Sequence, residues 1–155
     1  METLGQAAYV ELRRARLSDL AQLLELIKGY YRFDHITFNA KSVRAALREL
    51  LQDCSLGIIW IMRNAEKAVG YIVLTFNYDI EFGGLEGLIT DLFIRSEYRS
   101  HGLGRRAIAT VQEHCRSAGI RAIELQVERS NKAARQFYVK MGFRRLHRMV
   151  MTKDC

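Results

Sequence analysis

Arg99-Ser100-His101-Gly102-Leu103-Gly104 stands between an apolar, β-prone run and a stretch with helical periodicity. The run before it is Gly87-Leu88-Ile89-Thr90-Asp91-Leu92-Phe93-Ile94, and the helical stretch runs from Arg105 to Arg116. A glycine-spaced turn that opens a helix presents unpaired amide N–H groups, and the helix dipole adds positive potential there. Such a turn is a site for a phosphate. Gly102 and Gly104 carry no Cβ, so the backbone can approach a ligand closely. Arg95, Arg99, Arg105 and Arg106 crowd the same turn with positive charge, which suits a polyphosphate.

Working outward, the helix after the turn places Leu103, Ala107, Ile108, Val111 and Cys115 on one face, and Gly119 is a terminator at its end. Ile120 to Val127 reads as a strand. A helix separates it from the strand before the turn, so the two should run parallel. Ser130 or Asn131 caps a further helix carrying Ala133, Ala134, Phe137, Tyr138 and Met141, which Gly142 ends. Phe143 to Thr152 reads as one or two terminal strands. Towards the N-terminus, Gly57–Arg63, Val69–Tyr78 and Glu86–Ile94 are strands joined by short polar connections and should pair antiparallel. Val10–Ala15 begins as a short strand. Ser18 is positioned to cap a helix with Leu20, Leu23, Leu24 and Ile27 on one stripe, with Gly29 near its end. Arg32–Phe38 reads as a loop, and Asn39 caps a second helix bearing Val43, Leu47, Leu50 and Leu51. The class is α/β (α+β): a mixed, mostly antiparallel central sheet with about four flanking helices.

The 155 residues fit one domain, 1–155, with enough chain to bury a core. Apolar residues make up 49% and charged residues 26%, an ordinary globular mix. No apolar run reaches the length of a membrane span, and the first residues carry no secretory-signal pattern. Cys54, Cys115 and Cys155 are scattered, which reads as reduced thiols of a cytoplasmic protein. His35, His101, His114 and His147 lack metal-ligand spacing, so no metal is expected. The net charge of +7 attracts anions in general. No recognition helix, aromatic RNA platform or zinc finger accompanies it, which argues against nucleic acid.

The turn lacks the third glycine of a dinucleotide fingerprint and the Gly-Lys-Ser/Thr of a P-loop. Two segments instead resemble the GNAT superfamily of acyl-CoA-dependent N-acyltransferases. One is Arg99-x-x-Gly102-x-Gly104, which corresponds to that family's pyrophosphate-binding turn. The other is Asn131-x-x-Ala134-x-x-Phe137-Tyr138-x-x-x-Gly142-Phe143, which corresponds to its second cofactor segment. Nearly the whole chain fits the family's succession of elements.

The resemblance implies acetyl transfer from acetyl-CoA directly to a primary amine, a small molecule in preference to a protein. It implies a cleft between splayed strands at Thr90–Ile94 and Leu125–Val127. Backbone groups of Leu92, Phe93 and Ile94 would hold the pantetheine arm, and amides from Ser100, His101, Gly102, Leu103, Gly104 and Arg105 the pyrophosphate. Arg99 and Arg105 add charge there or are simply solvated. Asn131 contacts the cofactor or caps its helix, Ala134 and Phe137 border the ligand, and Tyr138 is the acid that protonates the departing thiolate. The base is left among Asp91, Glu86 and Glu128, and Thr90 stands where some relatives carry glutamate. The acceptor would enter near Arg32–Phe38 and Asp79–Gly84, where Asp34, Asp79 and Glu81 suit a cationic amine. The identity of that amine is open, and a homodimer is compatible with the resemblance. The competing reading is a non-catalytic acyl-CoA-binding regulatory module.

Overall fold

The computed structural model describes residues 9–155. Five strands form one sheet in sequential order: β1 (Glu11–Arg14), β2 (Gly57–Asn64), β3 (Lys67–Asp79), β4 (Gly84–Ile94) and β5 (Ile123–Leu125). Neighbours pair antiparallel except β4 and β5, which run parallel, as the intervening helix requires. Helices α1 (Leu20–Phe33) and α2 (Ala40–Gln52) cover one face. Helices α3 (Leu103–Ser117) and α4 (Lys132–Lys140) lie over the other.

Both faces being covered explains why β2 and β3 read as continuous apolar runs rather than alternating ones. Tyr71, Val73, Ile59 and Ile61 pack under α1 and α2, while Ile72, Leu74, Trp60 and Met62 pack under α3. The inward stripe of α3 is buried along its length, from Leu103 to Cys115. Asn39 and Asn131 cap α2 and α4 by accepting amide hydrogens at 3.1 Å.

Four expectations are corrected. Ser18 does not cap α1; it lies in a 3-10 turn, Leu17–Asp19. The buried Asp19 organises that corner instead, taking Arg13 at 2.8 and 2.9 Å and the Arg16 amide at 2.7 Å. Helix α1 runs on past Gly29, where a Cβ would stand 3.3 Å from the Phe93 ring, and it absorbs Arg32 and Phe33 from the expected loop. The strand expected over Ile120–Val127 shrinks to Ile123–Leu125. Among the described residues no strand follows it, so the expected terminal strands are absent. Arg144-Arg145 and His147-Arg148 would put charge on both faces of a strand there, which removes the period-two pattern a buried pairing needs.

Arg13 holds the Asp19 carboxyl below its ordinary value, first through their hydrogen bond. That stabilisation is present above the ordinary carboxylate range and is lost as pH falls through the lower, folded value. Asp19→Ala should cost about 2–3 kcal/mol, since it strands a half-shielded guanidinium. Denaturant titration at neutral and at acidic pH checks this; the gap between the two proteins should narrow in acid.

Candidate functional site

β4 keeps company with β5 only through Gly87–Ile123, Leu88–Glu124 and Ile89–Leu125. Immediately beyond lies a bulge. Val73 faces Asp91 and Leu74 faces Ile89, so Thr90 is the extra residue on β4. A bulge bends its strand and sharpens its twist. It sits where the two parallel strands part, which is where the resemblance placed the cleft. The Arg95 amide donates to Val69 at 2.8 Å, marking a hydrogen-bonded pair. Ladder alternation then turns the backbone groups of Phe93 and Asp91 towards β3, and those of Leu92 and Ile94 outward along the cleft. The expectation for Phe93 is corrected: its backbone serves the sheet and only its ring borders the site. The outward carbonyl of Ile94 accepts Arg99 Nε at 2.7 Å, which leaves the Ile94 amide and both backbone groups of Leu92 facing the cleft.

The turn after β4 reaches α3 through Ser100 at φ 63° and Gly102 at φ 81°. Gly102 is the N-cap residue, and the first helical bond runs from the Arg106 amide to its carbonyl at 3.0 Å. Among the described residues, none of the amides from Ser100 to Arg105 donates to a protein acceptor. Buried Leu103 anchors this fan of donors.

The two glycines serve different ends. Gly102 supplies the left-handed backbone, with open space where a Cβ would stand. A Cβ on Gly104 would lie 3.1 Å from the Phe137 ring, so this glycine lets α3 sit close to α4. Gly104→Val should push the helix start off Phe137 and weaken CoA binding about tenfold, within the usual cost of overpacking; calorimetric titration with CoA measures it. Arg105 is exposed. The guanidinium of Arg99 lies over Phe33 and Phe93, 4.9 and 5.6 Å from their ring centres, on the α1 side of the sheet. His101 is half-buried, and its Nδ1 has no partner.

Asp91 sits at the mouth of the cleft and accepts the Tyr71 hydroxyl at 2.8 Å. Burial pushes its carboxyl above the ordinary value, hydrogen bonds from Tyr71 and Thr90 pull the other way, and nearby Asp34 raises it further. Tyr71 was not singled out from the sequence, where it is one apolar member of a strand. Burial also raises Tyr138, again with a contribution from Asp34. Tyr30 is raised by burial, then by the nearby carboxylates of Asp91 and Asp34. These influences place Asp34, Tyr30, Asp91 and Tyr138 around one space.

Tyr138 packs against Phe137 and Phe143, with ring centres 5.2 and 5.8 Å away. Asn131 spends its oxygen on the Ala134 amide, so the capping reading holds for that atom. Glu86 pairs with Asn77 of β3, one residue before the pairing with β5 begins, and is buried, its carboxyl raised by burial and by Glu124. Glu128 is exposed. The Cys115 thiol is buried and pushed up by that burial, a poor nucleophile.

The family model described as the acetyltransferase (GNAT) family matches residues 20–143. The chain is 27% identical over 141 residues to the aminoalkylphosphonate N-acetyltransferase of Salmonella typhimurium, covering 88% of this chain and 86% of that protein. It superposes at TM-score 0.82 and 30% identity on an integron cassette protein from the mobile metagenome of Cole Harbour Salt Marsh, covering 99% of this chain and 95% of that one. The aminoglycoside N-acetyltransferase AAC(6')-Iy in complex with CoA superposes at TM-score 0.83 and 17% identity, covering 94% of each chain. With the phosphate-type turn, the parted strands and this match in view, the chain belongs to the GNAT family of acetyltransferases.

Proposed function

We propose that this acetyltransferase moves the acetyl group of acetyl-CoA directly onto a primary amine of a small molecule. The observation that carries the reading is the unpaired amide fan at Ser100–Arg105, one strand-end away from the half-buried carboxyl of Asp91. The fan suits a diphosphate, because oriented N–H groups at a helix start bind anions. The outward backbone of Leu92 suits the pantetheine arm, which would add to β4 as a strand does. The cosubstrate supplies an activated acetyl thioester.

The amine attacks the acetyl carbon, so a C–N bond forms and the C–S bond breaks. An ammonium has no lone pair, so a proton must leave first. Asp91, directly or through one water, takes it, and its raised pKa brings it nearer the working pH than an ordinary carboxylate. The Tyr71 hydroxyl fixes the orientation of that carboxylate. Tyr138, kept protonated by burial, gives its proton to the departing thiolate and is reprotonated by the second proton that the nitrogen sheds as the amide forms. Asp34 draws the cationic acceptor into the space beside Tyr30. Glu86 is disfavoured as base, because it is buried against a second carboxylate, Glu124, on the far side of the paired strands from the cleft.

A small acceptor fits the curated relative, which is named for an aminoalkylphosphonate. The test is thiol release from acetyl-CoA against a panel of small amines, with product masses. An acetylated amine is expected. Tight CoA binding with no product from any amine would favour the regulatory module instead.

A further inference from the structure

On the α1 side of the end of β4 lies a cavity of about 330 Å³, lined by Arg32, Arg95 and Arg99 together with Phe33, Phe93 and Glu97. Among the described residues none of those arginines forms an ion pair. Glu97 is engaged by Lys67 at 3.3 Å. Arg95 and Arg99 are held in place through Nε alone, on the carbonyls of Ala68 at 3.0 Å and Ile94 at 2.7 Å. Their terminal nitrogens have no protein partner among the described residues. Stacking on Phe33 and Phe93 further fixes the plane of Arg99. Guanidinium groups gathered without counter-charge repel one another, and a tetrahedral oxyanion answers both the charge and the fork geometry.

The cavity adjoins the acyl site. The Phe93 ring has Arg99 against it, and Tyr30 and Tyr71 also lie beside it at 6.2 and 6.4 Å. Asp91 is two residues earlier on the same face of β4, about 7 Å along the strand. We propose that the acceptor is an amphoteric molecule whose phosphonate or phosphate group occupies the Arg32/Arg95/Arg99 cavity while its amine reaches Asp91 and Asp34. This rests on the acetyl-transfer reading above and adds the acceptor's second charge. The unpaired amides of Ser100–Arg105 open α3, which packs on the opposite face of the sheet, so the cofactor's diphosphate and the acceptor's anion have separate sites.

The experiment pairs aminoalkylphosphonates with plain alkylamines of equal chain length, on the wild type and on Arg32→Gln and Arg95→Gln. Arg32 is exposed and without a bonded partner, so its replacement leaves folding intact even if Arg95→Gln does not. The wild type should prefer the phosphonate member of each pair. In the variants that preference should fall about tenfold or more, through the acceptor KM, as expected for one lost charge-assisted hydrogen bond. A structural defect would lower both members of a pair alike and leave the preference standing, which overturns the proposal. So does a wild type without preference, or an arginine variant whose acetyl-CoA KM rises instead. If no amine of any kind is acetylated, the transfer reading fails. The cavity is then read by calorimetric titration of aminopropylphosphonate onto the CoA-loaded protein. Binding lost in the variants upholds the cavity, and binding that is absent or unchanged overturns it.

Discussion

Asp91→Asn should lower kcat/KM for acetyl transfer by roughly 10²–10⁴-fold, the usual contribution of a positioned general base. Asparagine keeps the shape and can still accept the Tyr71 hydroxyl, so the loss isolates proton removal from orientation. The pH dependence gives a second readout. With an acceptor whose amine titrates at high pH, the wild-type kcat/KM should rise with slope one below the Asp91 pKa and level off above it, because Asp91 itself deprotonates the bound ammonium. The variant should show slope one throughout. The break should fall above the ordinary carboxylate range, because burial raises this group.

Stability should move in the opposite sense to activity. A raised folded pKa means that the folded protein holds the proton more tightly than the unfolded chain. Stability is therefore withdrawn as pH rises through the raised value. Asparagine never ionises, so at neutral pH the variant should melt at or above the wild-type temperature. A variant that loses activity and melts earlier would point to collapse of the site and against a base. A variant of undiminished activity would remove Asp91 from the chemistry.

Tyr138→Phe should lower kcat by about 10²-fold, at the low end of acid catalysis, with little change in affinity for acetyl-CoA. The ring contacts to Phe137 and Phe143 survive the change, so the fold around α4 is kept. Only the hydroxyl is removed. Burial and the nearness of Asp34 both raise the wild-type phenol, so it stays protonated over the working range and is able to donate. The defect should shrink with an acyl donor whose thiol is more acidic, since a stable thiolate departs without help. Equal turnover of variant and wild type on acetyl-CoA, across pH, would exclude Tyr138 as the acid.

The effects of these two changes should not simply add. Asp91 and Tyr138 share the space beside Asp34, and both act in one transition state. Residues in one network couple, so the double variant should lose less than the product of the single losses.

Some of this was written in short stretches of chain. The phosphate-type turn follows from Gly102 in a left-handed conformation and from the helix it opens, both matters of adjacent residues. The caps at Asn39 and Asn131 and the buried stripe of α3 are equally local, each set within a turn or by the helical repeat. Other features needed the assembled chain. The Asp91–Tyr71 bond joins residues 20 positions apart, and only the β3–β4 register brings them together. The bulge at Thr90, which decides which backbone groups face the cleft, is visible only against β3. Gly29 reads only as a residue near a helix end, and its packing role emerges when the Phe93 ring stands 3.3 Å from where a Cβ would be. Arg99 reads as charge beside the turn or as a solvated side chain, and only the assembled chain stacks its guanidinium over Phe33 and Phe93. Local sequence dictates conformation where the interacting groups are neighbours along the chain. Burial, charge proximity and strand register depend on elements far apart in it, and these set the protonation and the direction of every group proposed to do chemistry.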